Sequence, residues 1–449
     1  MSVMVGPTHP NVITPSQPSS KSLFAATATS FIPGTVYLFT FKAGTFFLNT
    51  SIAYFAMSTL ENVVSTTPIQ TNYFPGTITR PPYFTPTPPR VGNTVKCLKR
   101  EWLREMKTYH LPQKPKSIRA RLHLNENPNP PPRRVIEAAL KAAEAGNLYP
   151  DPERLWKLRE VAARYYGVPG PEWVLPTLGS DSALRLTFEC CALKGSARLP
   201  YPSFQAYPPL LGAAGATLLY SNLQIEGDKF VLNLDDFLST KADIAVIDTP
   251  NNPTGSLLLS PEQLDRLSGA FPSVLVDEAY AEFAPFSLTP FVTEYDNLFV
   301  TRTLSKAFAL AGFRIGFLIS SPENVTEVSK MVLPYDIPSV TVEAALAALS
   351  DPSYSRDYIN YVNEEKKRMK DKLESLGWKV FESYTNFVLV RAFKGVVDEF
   401  RKMGIMVRKV PLGEDWFRVS VGSEEEMKLF YEASESLAKK FGNQITPSA

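Results

Sequence analysis

From Pro132 onward the sequence predicts an α/β fold: a mostly parallel sheet covered by helices on both faces, followed by a smaller α+β domain. Two observations carry the prediction of the sheet. Helical patterns alternate with short apolar runs, and those runs are continuous instead of alternating, which is how strands buried on both faces read. A third observation, a change to long charged helices beyond Pro334–Pro338, predicts the second domain.

Residues 1–95 stand apart. They are rich in Ser, Thr, Pro and Phe, and Glu61 is their only acid, whereas charges recur every few residues from Glu101 onward. The stretches Ser22–Phe41 and Ala43–Leu60 approach the ~20 residues that span a bilayer, but polar residues dilute both and Pro33 interrupts the first. Three readings stay open: a start placed upstream of the true one, with Met106 the alternative; an organelle-targeting leader; or an anchor or disordered tail. The expected organisation is an extension over 1–105, an arm and first helix over 106–145, a large domain over 146–339 and a small domain over 340–445.

Within the body, RRVIEAALKAAEAG (133–146) has apolar residues at helical spacing, with Gly146 placed to cap its C-terminus. ALRLTFECCAL (183–193) predicts a second helix. DIAVIDT (243–249), SVLVDEAY (273–280) and NLFVTRT (297–303) predict buried strands, each ending in polar residues. Tyr354–Leu376 predicts a long helix, and FVLVRA (387–392) and WFRVSVG (416–422) predict strands of the small domain. In open α/β sheets, ligands bind outside the carboxyl ends of the strands. Asn252, Asp277 and Lys306, which follow the three apolar runs, are therefore expected to converge on one crevice.

Composition narrows the partners. With 44% apolar and 20% charged residues and a formal charge of +2, the chain has no field that implies nucleic acid or an anionic membrane as its main partner. Any anion it binds should be held locally. Cys97, Cys190 and Cys191 make no disulfide framework or metal-ligand spacing, which predicts a reducing compartment and no metal.

Three segments, PNNPTG (250–255), VDEAY (276–280) and TLSKAFALAGFRIG (303–316), occur in that order. Together they resemble the aspartate-aminotransferase superfamily of enzymes dependent on pyridoxal 5'-phosphate (PLP), over roughly Leu122 to Phe441. The resemblance implies fold type I, with a seven-stranded sheet in the large domain, and a homodimer. It also assigns roles. Lys306 carries the cofactor aldehyde and acts as the base. Asp277 keeps the pyridine nitrogen protonated so that the ring serves as an electron sink; an aspartate closing a strand can instead cap a helix. Asn252 and Tyr280 bond the phenolic oxygen, although Asn252 also suits a simple turn. Gly179, Ser180, Asp181 and Ser182 form a phosphate cup at a helix start, completed by Thr303, Ser305 and Arg314. Phe204 stacks on the ring, and Tyr149 reaches the partner subunit's phosphate site.

Within that superfamily the body is most similar to the histidinol-phosphate aminotransferases, through LNENPNP (124–130), GIMVRKVP (404–411) and WFRVSVG (416–422). That resemblance implies transamination between L-histidinol phosphate and 2-oxoglutarate in histidine biosynthesis, in the cytoplasm or, if 1–95 is a leader, in an organelle. Arg408, Arg418 and Asn127 become the substrate-binding residues. Two guanidinium forks suit a pocket that must clamp a carboxylate in one half-reaction and a phosphate in the other. The sequence departs from the family at Asn129, where a tyrosine is usual, and at Leu148, where an arginine is usual. Threonine-phosphate decarboxylases and aromatic-amino-acid aminotransferases are the alternative activities. A silent PLP-fold regulator is the non-enzymatic one, but 1–95 holds no helix-turn-helix pattern or basic cluster.

Overall fold

The computed structural model describes residues 3–5, 36–41, 44–49, 101–104, 106 and 117–442. The chain divides into two compact units, Met1–Lys96 and Cys97–Ala449. In the first, Val3–Val5, Val36–Phe41 and Gly44–Asn49 form a three-stranded antiparallel sheet. The choice between upstream start, leader and anchor rests on residues outside the described ones. Among those described, no helix is long and apolar enough to cross a membrane.

The second unit is built on seven strands: β1 (Val174–Thr177), β2 (Ser196–Tyr201), β3 (Thr217–Asn222), β4 (Ile244–Asp248), β5 (Ser273–Asp277), β6 (Leu298–Thr303) and β7 (Gly316–Ile319). Their spatial order is β1-β7-β6-β5-β4-β2-β3. All neighbours are parallel except β7, which runs antiparallel to β6 and β1. The three apolar runs form the central strands β4, β5 and β6. Their Ile, Val, Leu and Phe side chains are buried from end to end, because the layers on both faces leave no solvated side.

The helices of this part include α1 (Arg133–Ala143), α2 (Pro152–Tyr166), α3 (Ser180–Cys191) and α4 (Tyr207–Ala214), of which α1 and α3 fall on the helical runs expected from the sequence. Asp151 caps α2 by accepting from Glu153 N, Pro152 occupies its first turn, and Gly167 ends it in the left-handed region at φ 73. Gly146 does not cap α1. Glu144 is the cap, still in right-handed helical conformation, and the chain keeps turning through tight bonds from Ala145 N to Ala142 O and from Gly146 N to Ala143 O.

Beyond α5 (Ser339–Ser350) and α6 (Ser353–Ser375), a four-stranded antiparallel sheet combines β8 (Lys379–Val380), β9 (Phe387–Arg391), β10 (Arg408–Lys409) and β11 (Trp416–Ser420), in the order β8-β9-β11-β10. Helix α7 (Glu424–Phe441) follows β11. One buried apolar cluster includes Val274 and Val300 of the large sheet together with Phe387, Phe417 and Leu437 of the smaller layer. The arm is tied to this layer. Ala120–Arg121 pairs in parallel with Ile405–Met406, Leu122 N donates to Met406 O at 2.9 Å, and Ser420 N donates to Leu122 O at 2.9 Å. Those bonds lead Leu124–Asn127 over the carboxyl ends of the central strands. Farther upstream, Trp102 docks beside α4, with Nε1 donating to Ala213 O at 3.2 Å.

Candidate active site

Two adjoining cavities, of about 370 and 220 Å³, open at the carboxyl ends of β4, β5 and β6. Leu124, Phe204, Asn252, Tyr280 and Lys306 line both. The larger also takes in Glu126, Ser180, Asp181, Asp248, Asp277, Thr303, Ser305 and Arg314, and the smaller takes in Arg408 and Arg418. The crevice expected from the ends of three apolar runs therefore exists.

Lys306 follows β6 directly, and its Nζ donates to Leu124 O at 3.3 Å. Burial, helped by the Arg418 charge, lowers its amine to about 8. A substantial neutral fraction is thus present near physiological pH, as a nucleophilic and basic lysine requires.

Asp277 ends β5 and is buried. Its carboxylate accepts from Tyr207 Oη at 2.9 Å, Thr301 Oγ1 at 2.8 Å and Ala279 N at 3.2 Å. Burial pushes it up to about 6 against the pull of Thr301 and Tyr207. Beside it in register on β4 lies Asp248, which accepts from Asn251 Nδ2 and Asn252 N, both at 2.9 Å. Burial pushes Asp248 to about 7, with the Asn252 N–H opposing and the Asp277 charge adding to the rise. Two buried carboxyls side by side would welcome a cationic ring nitrogen, which fits a protonated pyridine.

The anion cup lies at the start of α3. Gly179 precedes the helix at φ 75, and Ser180 and Asp181 occupy its first turn, where N–H groups have no intrahelical acceptor. A Cβ on Gly316 would stand 2.4 Å from Ser180 N, so only glycine lets β7 approach this closely. Ser182 N turns back to Gly179 O at 3.1 Å. Arg314, at φ 54, reaches across to Asp181 Oδ2 at 3.2 Å. Thr303 Oγ1 donates to Ser305 Oγ at 2.9 Å on the opposite wall. Open helix N–H groups, two hydroxyls and a guanidinium suit a phosphate.

At the other end, Arg408 and Arg418 are register partners on β10 and β11. Arg418 is buried, donating to Asn252 Oδ1 at 2.5 Å and His123 O at 2.8 Å, with its guanidinium 5.0 Å from the Phe387 ring centre. Arg408 is half-buried and donates to Gln205 Oε1 at 2.8 Å. The positive charge around His123 is dense: burial first, then Arg121, Arg408 and Arg418, lower its imidazole to about 4.

Phe204 lies edge-on to Tyr207, with ring centres 5.5 Å apart. Asn127 stands off the two cavities, lining a neighbouring one of about 420 Å³ with Arg121, Glu126 and Ser423. Tyr149 is 80% exposed and stacks on Tyr335 at 4.8 Å, outside the described cavities. Asp248, Asn125, Tyr207, Thr301 and Ser420 are among the polar residues of the site that sequence reasoning passed over. Asp248 carried a signal, since it closes an apolar run just as Asp277 does. Among the described residues no cluster of His, Cys, Asp and Glu could hold a metal ion.

Fold and site together define an aminotransferase. The model of the family described as aminotransferase class I and II matches residues 119–433, and the chain belongs to that family. More particularly, it is 36% identical over 341 residues to the histidinol-phosphate aminotransferase of Sulfurisphaera tokodaii, covering 74% of this chain and 94% of that one. It is 34% identical over 318 residues to the enzyme of the same name from Rhodopirellula baltica, covering 68% and 86%. Among solved structures, histidinol-phosphate aminotransferase from Sinorhizobium meliloti in complex with pyridoxal-5'-phosphate has the same fold, with a TM-score of 0.69 at 24% identity over 78% of this chain and 100% of that one.

Proposed function

We propose that this enzyme uses PLP to transfer the amino group of L-histidinol phosphate to 2-oxoglutarate, yielding imidazole-acetol phosphate and L-glutamate in histidine biosynthesis. The observation that carries the reading is the pairing of Arg408 with Arg418 beside Lys306, one guanidinium buried and fixed, the other half-buried. The names of the 30–36% identical relatives support the same substrate.

Bound PLP supplies an aldehyde that condenses with primary amines and a ring that takes up the electron pair released at the substrate Cα. The α3 N-terminus, with Ser180, Asp181, Ser182, Thr303, Ser305 and Arg314, would hold its phosphate. Phe204 would cover the ring face, and Asn252 and Tyr280 would donate to the phenolic oxygen. Asp277 would hold a proton on the ring nitrogen. Lys306 Nζ would move the proton between the substrate Cα and the aldehyde carbon of the cofactor, its lowered proton affinity matching both tasks. Arg418 binds the anionic group of either substrate, and Arg408 joins it on the phosphate. Asn127 lines the approach.

The same reading includes a homodimer. Exposed Leu140, Leu148, Tyr149, Leu333 and Tyr335 supply apolar surface for an interface, from which Tyr149 would serve the partner's site. It also includes a large domain over 146–339, a small one over 340–445, and residence in the cytoplasm, with residues 1–95 the segment to test for organelle import. Half-transamination spectra with L-glutamate, histidinol phosphate and threonine phosphate in turn test the assignment. The expected result is turnover of the first two; turnover of threonine phosphate alone would overturn it.

A further inference from the structure

Asn125 lies in the arm, 1% exposed and at φ 54, a left-handed conformation that asparagine and aspartate tolerate better than other side chains. Every polar group it has is engaged. Its backbone N–H donates to Ser420 Oγ at 3.0 Å, its carbonyl accepts from Asn386 Nδ2 at 3.1 Å, and its Oδ1 accepts from Ser420 Oγ at 2.9 Å. A serine hydroxyl has one proton. Ser420 accepts from the Asn125 backbone and spends that proton on Oδ1, so it determines which end of the amide is oxygen. The other end, Nδ2, is thereby aimed at Tyr280 Oη, 2.7 Å away.

In that bond Tyr280 accepts, which leaves its own proton uncommitted. The ring is 5% exposed, lines both cavities and lies 5.9 Å from Lys306 Nζ. We propose that Asn125 is a positioning residue that, locked by Ser420, turns the Tyr280 hydroxyl proton into the pocket for donation to the phenolic oxygen of the cofactor. The proposal rests on the PLP reading above. Burial keeps the Tyr280 phenol protonated, pushed up to about 12, so the proton is there to give. Donation to the ionised form of a group lowers its proton affinity, so the cofactor oxygen stays ionised at neutral pH. The relay spans three parts of the protein: Asn125 in the arm, Tyr280 after β5 and Ser420 on β11. The donor is therefore aligned only while the arm and the small sheet are both docked.

The test is a spectroscopic pH titration of the full-length holoenzyme, following the absorbance band of the bound cofactor. In Asn125→Asp the new carboxylate accepts where the amide donated, so the Tyr280 proton turns away from the pocket. The apparent pKa of the band should rise by about 1, an approximately tenfold change in proton affinity. Asn125→Ala, which neither donates nor accepts, and Ser420→Ala, which unlocks the amide, should give smaller rises. In a Tyr280→Phe background, Asn125→Asp should add nothing. A band that stays in place in all three single variants overturns the proposal. So does an equal rise in both backgrounds, since that would report the new charge or a loosened fold. PLP dissociation constants and melting temperatures of the apo forms, measured alongside, identify any variant whose pocket is lost, and the remaining variants then decide. A parent chain without a pH-sensitive cofactor band removes the functional reading itself; a parent with the band and unshifted variants removes only this proposal.

Discussion

Replacing Arg418 by alanine should affect binding and stability by separable amounts. The guanidinium is 7% exposed and is held by Asn252 Oδ1, His123 O and the face of Phe387. Its removal orphans two buried acceptors, each at a cost of roughly 1–3 kcal/mol, so the melting temperature should fall by several degrees. On the substrate side, the loss of a charge-assisted contact costs roughly 1.5–3 kcal/mol, which is about ten- to 150-fold in KM. Glutamate and histidinol phosphate should suffer alike, because the proposal places the anionic group of each on this one fork. Arg418→Lys should recover only part, since an ammonium cannot reproduce the planar fork that Asn252 and His123 hold. Arg408 offers the contrast, being half-buried and held through Gln205. Arg408→Ala should raise the KM for histidinol phosphate by about one to two decades and that for glutamate less. Stopped-flow half-reactions on each variant, with thermal melts, would decide. An unchanged glutamate KM in Arg418→Ala, with only the melting temperature lowered, would refute the clamp, and equal effects of Arg408→Ala on both substrates would refute its phosphate role.

Four further outcomes are expected. Lys306→Ala should abolish transamination while PLP stays bound without a covalent link, which mass spectrometry after borohydride treatment would show. Asp277→Ala should keep PLP but slow Cα deprotonation severely in single-turnover spectra, with Asp277→Glu milder; an unchanged rate with lowered stability would leave Asp277 a purely structural role. The rate at which apoenzyme captures PLP covalently should rise as pH passes about 8, because the reacting amine must be neutral and burial lowers Lys306 to that value; a midpoint at the ordinary 10.5 would contradict its environment. A chain begun at Cys97 should melt higher than one begun at Met106, because only the former keeps Trp102 against Ala213 and Gly215.

What the sequence made legible was the chemistry carried by strand ends. Asn252, Asp277 and Lys306 each follow an unbroken apolar run, and a run buried on both faces points its last residues at the crevice. Partners joined through tertiary contact left no such trace. Tyr207 sits on α4, far along the chain from the Asp277 it bonds, and Asn125 meets Tyr280 and Ser420 only because the arm pairs beside β11. The antiparallel course of β7 was likewise invisible, since a buried apolar strand reads the same in either direction. Gly146 misled because glycine suits many turns, and here a tight continuation of α1 took the cap from it. Tyr149 lines none of the described cavities of its own chain, so its reading depends on a second copy.

The short ladder between Ala120–Arg121 and Ile405–Met406 also bears on biosynthesis. A ribosome makes the two strands at opposite ends of the folded unit, and their union closes a loop containing nearly all of it, which is entropically slow to form. The large sheet can assemble while the arm is still waiting for its partner. Leu124, Asn125 and Glu126 therefore reach their places only after the C-terminal strands leave the exit tunnel, and the nascent chain acquires this wall of its cofactor pocket last.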